Sequence, residues 1–138
     1  MKAFTLASLL FLLSTCLLAD DGGIHCNLAG NQMEMNQCAL DDFTAADQQL
    51  NATWKVLLTK YREDRAFLDK IKAAQRAWIS FRDAEVAAQF ACEDADVRLC
   101  WGSMYPMLYH GEMTRLTRER TQRLQEYIDQ GYNSTVGE

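Results

Sequence analysis

The segment from Cys92 to Ser103 concentrates the residues best suited to recognition: Glu93, Asp94 and Asp96 lie beside Trp101, between two cysteines, Cys92 and Cys100. Carboxylates steer a cationic partner, and a tryptophan beside charges is a typical interface anchor. A disulfide across the segment would stiffen it, so that less entropy is lost on docking to a basic cleft. Catalysis is a weaker reading. Paired acids such as Asp83 and Glu85 could do general acid/base work only as a positioned pair with separated pKa values, which spacing cannot supply. The histidines, His25 and His110, are far apart, and no serine or cysteine sits in a nucleophile motif. There is no Gly-rich phosphate loop and no H-E-x-x-H. The chain therefore reads as a binding protein, not an enzyme. Met33, Met35, Met104, Met107 and Met113 with the two histidines could serve Cu(I), but methionine on helices is more often core filler. No cofactor is expected.

Three helical stripes must hold that segment. They read Phe43, Asp47, Leu50, Trp54, Leu57, Tyr61; then Leu68, Ile71, Gln75, Trp78, Arg82, Glu85; then Tyr109, Met113, Leu116, Arg120, Leu124, Tyr127. Steps of three and four keep each set on one face, so Asp47, Gln75, Arg82, Glu85 and Arg120 should turn inward. A charge removed from water needs a partner, which predicts that Asp47 and Glu85 receive the arginines in a buried polar network. On that reading Arg82→Ala strands an acid and costs roughly 3 kcal/mol or more. The expected fold is all-α: an antiparallel bundle of three main helices with a disulfide-tethered N-terminal strap or short helix.

Element boundaries follow from local signals. Thr44 followed by Asp47 fits a capping start, so the main first helix should run from there to about Tyr61, with "GNQMEMNQCALDDF" a short helix or its first turns. Asp64 is a candidate N-cap for a second helix over about Ala66 to Ala91. Ser103 could cap a third, with Pro106 harmless in its first turn, continuing to about Gln130. "GYNSTVGE" reads as a frayed tail.

Lys2 followed by a short apolar run and small residues reads as a secretory signal over residues 1–19, leaving one domain over residues 20–138. "LSTC" approximates a lipobox, in which Cys16 would be lipidated and the protein membrane-anchored; otherwise it is periplasmic or secreted. Removing the leader takes away Lys2 alone among charged residues, leaving a chain more acidic than its overall net charge of −5. Such a domain is a poor nucleic-acid binder and a plausible partner for a basic protein. Four cysteines remain, Cys26, Cys38, Cys92 and Cys100; an even count on an exported chain suggests two disulfides with three connectivities, of which local pairing is simplest.

"MNQC" with "ADQQLNATW", "AAQRAWISFRDAE", "GSMYPM" and "LTRERTQRL" together resemble the LprI-type lysozyme-inhibitor domain, a family of small secreted bacterial helical proteins. The resemblance runs from about Cys26 to Tyr127. It implies a non-catalytic inhibitor that occludes lysozyme or another basic cell-wall hydrolase, and it supports the Cys26–Cys38 pair. Related sequences often carry cysteines where this chain has Val86 and Glu112, so Cys92 and Cys100 read as a relocated staple. The alternatives are a non-inhibitory envelope interaction module and a soft-metal binder.

Overall fold

A computed structural model describes residues 23–132, which form helices α1 (Gln32–Lys60), α2 (Arg65–Gln89), the single turn α3 (Arg98–Trp101) leading into a 3-10 turn (Gly102–Met104), and α4 (Tyr105–Gln130). The expected signal peptide, the Cys16 lipobox and the end of the C-terminal tail lie outside the described residues. None of the described helices is long and apolar enough to cross a membrane.

The first helix begins thirteen residues earlier than Thr44 suggested. Asn31 caps it, accepting from the Met33 and Glu34 amides, while the Glu34 carboxylate takes the Asn31 amide at 2.7 Å. This reciprocal box satisfies three free donors of the first turns. The Thr44 hydroxyl instead donates to the Leu40 carbonyl in mid-helix. Asp64 does cap α2, accepting from the Phe67 amide at 3.0 Å, and that bond together with the Tyr132 hydroxyl holds its carboxyl below the usual range. Ser103 falls in the 3-10 turn, and α4 starts at Tyr105 with Pro106 in its first turn and no side-chain cap.

Successive long helices alternate in direction, so α1 and α4 are parallel and α2 is antiparallel to both. At one end Asn36 Nδ2 reaches the Ser103 carbonyl at 3.1 Å. At the other, the Tyr61 hydroxyl donates to the Tyr127 carbonyl at 2.6 Å and Lys60 to that of Ile128. The α1–α4 contact is much the most extensive in the bundle. Small residues make this close approach feasible: Ala46 and Thr53 from α1, and Thr114 and Thr117 from α4, are all buried. Thr117 is fully buried with no partner for its hydroxyl among the described residues. An unmade hydrogen bond at a buried hydroxyl destabilises, so Thr117→Val, which keeps the shape, should raise stability by about 1 kcal/mol in urea unfolding. A loss of stability would mean that the hydroxyl is satisfied.

The core divides in two. Leu50, Leu57, Ile71 and Leu124 form a lower cluster near the α1–α2 turn, and Val86, Phe90, Met113 and Leu116 an upper one beneath α3. Aromatic rings seal the lower end: Phe67 stacks on Tyr132 at 4.4 Å, with Tyr61 tilted against it at 4.5 Å. Between the clusters α2 meets the other helices through long side chains, which keep its backbone farther from α4 than α1 is.

Those long side chains are where the sequence reading needs correction. Arg120 Nε donates to Gln75 Oε1 at 2.9 Å, so these two inward residues do meet. Among the described residues no carboxylate joins them in an ion pair. Arg82 pairs with its own neighbour Asp83 at 2.8 Å, not with Asp47 or Glu85. Both guanidiniums lie over Trp78, Arg82 at 5.2 Å and Arg120 at 5.9 Å from the ring centre. The middle layer is thus an indole plate in contact with two cations rather than an acid–arginine network. Burial depresses the Arg120 pKa, the sign of a cation whose solvation is incompletely replaced. Asp47 is half-buried and accepts from Asn51 on its own helix at 2.9 Å. Glu85 is exposed because the stripe steps from Arg82 to Val86, four residues on, and Val86 is fully buried.

Candidate functional site

The α2–α4 connection is built from the cysteines inward. Cys92 and Cys100 are bonded, with Cα atoms 5.9 Å apart, closing a span of eight residues. On the chain-entropy model a loop of that size is stabilised by roughly 2.5 kcal/mol. The second local pair, Cys26–Cys38, ties the extended N-terminal segment to α1. Cys92, Asp94 and Cys100 come close enough to suggest a cation site, but both sulfurs are committed to the disulfide.

Within the loop the acids have separate duties. The Asp96 carboxylate accepts from the Arg98 amide at 3.0 Å and from its guanidinium through both oxygens at 2.9 Å, which starts the α3 turn and lowers the Asp96 pKa. Asp96 is therefore largely engaged inside the loop. Glu93 and Asp94 are exposed and make no such contact among the described residues.

Trp101 does not stand out in solvent as an anchor. Its ring meets Phe90 edge-on at 5.1 Å and packs against the upper cluster, with the indole nitrogen buried. Phe90, the C-terminal boundary residue of α2, offers the apolar surface that draws the indole in. The apolar side chain left facing solvent is Leu99, 71% exposed, with Met104 also exposed nearby in sequence. Sequence reading passed over Leu99, although an aliphatic residue directly before the closing cysteine of an acidic loop is a visible signal.

Beneath the loop, Tyr105 and Tyr109 surround Phe90 and hold the start of α4 against the end of α2. His110, the histidine of that helix, lies parallel to Phe43 at 6.0 Å, and burial lowers its pKa. It serves packing, and His25 is placed in the exposed N-terminal strap. Met33 is exposed on α1 and Met113 is in the upper core, while Met35 and Met107 line one groove beside Cys38, so Met33 and Met113 do not share a place. Val86 is a fully buried core residue, and Glu112 is a carboxylate bonded to Arg115 at 2.9 Å. A shallow groove of about 430 Å³ lies between α1 and α4, lined by Ala45, Gln49, Arg118 and Gln122 among others.

Comparison with known proteins bears on the whole arrangement. The model of the family described as lysozyme inhibitor LprI matches residues 26–124, which takes in both disulfides, α1, α2, the α3 loop and α4 as far as Leu124. A protein of Rhizobium meliloti (strain 1021), itself uncharacterized, is 37% identical over 119 residues, covering 78% of this chain and 81% of the relative. No solved structure matches. The family match covers well over half of the sequence and coincides with the helical, disulfide-stapled domain described above: the chain belongs to the LprI lysozyme inhibitor family.

Proposed function

We propose that the protein is exported and inhibits a lysozyme or a similarly basic cell-wall hydrolase by seating the α3 loop over the enzyme's substrate cleft, with no covalent step. Beyond family membership, one observation carries this reading: Leu99 stands 71% exposed on a disulfide-closed turn that also displays Glu93 and Asp94. An aliphatic tip can enter an apolar depression in a cleft, and the two carboxylates complement its cationic rim. The closed ring limits the entropy lost on docking. Asp96 contributes indirectly, since its clasp on Arg98 shapes the turn that presents Leu99.

The test is turbidimetric: purified protein added to lysozyme and cell walls at low and moderate salt. Inhibition is expected at low micromolar protein or below. Leu99→Asp should weaken it at least about tenfold by placing a charge in the desolvated contact. Glu93→Gln with Asp94→Asn should slow association at low salt, with the difference shrinking as salt rises. Failure of the unaltered protein to inhibit any lysozyme class in micromolar excess rejects the function. Inhibition that ignores Leu99 and both acids rejects the loop as its seat.

A further inference from the structure

Helix α2 carries two stripes, and the bundle uses one. Ile71, Gln75, Trp78, Arg82 and Val86 face α1 and α4. On the outer side Ala74, Phe81 and Ala88 recur every seven residues, with Ala77 and Ala84 interposed, and all five are exposed. Phe81 is 53% exposed at the centre of this band. The spacing is that of a two-helix seam, in which alanines leave a shallow trough and one large side chain supplies the knob. None of the described residues covers it.

The charges beside the band indicate what does. Lys70 lies on the band in the first half of α2 and Glu85 flanks it in the second, both exposed, whereas Lys72, Arg76 and Asp83 project from the far side of the helix. A basic target would be repelled by the first half and an acidic one by the second. A second α2 laid parallel in register would set like against like. Laid antiparallel, the same surface complements itself, which is the condition for a closed two-fold interface.

We propose that the protein forms a homodimer through the outer faces of α2, packed antiparallel about a two-fold axis near Ala77 and Trp78. Phe81 of each copy lies in the trough at Ala74 and Ala77 of the second copy, and Lys70 of each lies beside Glu85 of the other. The registers agree: pairing Phe81 with the Ala74–Ala77 interval brings Lys70 opposite the Glu85–Ala88 interval in the same stroke. The contact leaves Glu93, Asp94 and Leu99 outside it, at opposite ends of the pair, so the inference is independent of the proposed inhibition.

Sedimentation velocity of the purified protein from micromolar to millimolar concentration tests this. A reversible monomer–dimer equilibrium is expected, weakened at least about tenfold by Phe81→Lys. Lys70→Glu and Glu85→Lys should each weaken it, and the double reversal should restore it, because only a cross-pair of these two residues regains opposite charge. Circular dichroism should show every variant folded, since the altered side chains are exposed; Phe81→Gln replaces Phe81→Lys if the latter does not fold. A protein that stays monomeric at millimolar concentration overturns the proposal, as does a dimer indifferent to both Phe81 variants. A double reversal no better than the single ones overturns the antiparallel pairing.

Discussion

Trp78→Ala should cost about 3 kcal/mol, and more than removal of either arginine that lies on it. The half-buried indole packs on the lower cluster and also fills the layer between the two cores. Truncation loses that apolar burial and opens a cavity, a combination that costs roughly 3–5 kcal/mol where a tryptophan is fully enclosed. It also removes the ring beneath two cations, each contact worth on the order of 1 kcal/mol when partly desolvated. Arg120 suffers most. Its pKa is already depressed by burial, and its Nε donates to Gln75. Arg82→Ala, by contrast, should cost only about 1 kcal/mol, because Asp83 is on the surface and regains water when its partner goes. That reverses the loss of 3 kcal/mol or more expected from a buried acid–arginine pair. Urea unfolding of both variants decides the matter: equal losses would mean that the plate has no special part, and a larger loss for Arg82→Ala would restore a stranded acid.

This correction shows what helical periodicity can and cannot carry. Spacing told correctly that Gln75, Arg82 and Arg120 turn toward the bundle, because a 3.6-residue repeat fixes direction. It does not fix depth. Arg82 keeps its side chain mostly covered while its charged end reaches Asp83 one residue along, a snorkelling arrangement possible only for a long side chain at the edge of the interface. Glu85 was set inward because a step of three from Arg82 is as legal as a step of four. The apolar Val86 wins the buried place, since leaving it exposed and hiding a carboxylate would both cost free energy.

Starts of helices were legible only in part. "TAAD" and "NQME" both match an N-cap followed three residues later by an acid, and nothing local ranks them. The upstream one prevails because no proline or glycine interrupts the chain between Gln32 and Lys60, and Cys38 is held to Cys26 while already on the helix. At the candidate site the acidic, cysteine-bounded loop was readable as a surface feature, but the exchange of roles between Trp101 and Leu99 was not. It depends on Phe90 lying 5.1 Å from the indole, a tertiary contact between the end of α2 and the far side of the loop. The outer band of α2 was readable in principle. Its alanines carry little apolar surface beside the stripe that holds Trp78, so the pattern is weak although it has a helical repeat of its own.

Leu124→Ala is expected to be the most damaging aliphatic truncation, at about 3–5 kcal/mol. Leu124 has no exposed surface, and in the lower cluster it joins α4 to Leu50 and Leu57 of α1 and to Ile71 of α2. A cavity there is bordered by all three helices at once. It cannot easily collapse, because the Lys60 and Tyr61 bonds to the Ile128 and Tyr127 carbonyls pin α1 to α4 and the Asp64–Tyr132 bond closes the turn below. Met113, slightly less buried and under the α3 loop, borders elements that can shift, so Met113→Ala should cost less, about 2 kcal/mol. Single domains are stable by only about 5–15 kcal/mol, so Leu124→Ala should bring the unfolding midpoint down sharply without changing the urea m-value. Combined with Trp78→Ala, which borders the same cluster, the losses should depart from additivity by 0.5 kcal/mol or more, roughly, because the two cavities merge. Strict additivity would mean that the plate and the lower cluster are energetically separate, and a Leu124→Ala cost below that of Met113→Ala would move the rigid part of the bundle to the loop end.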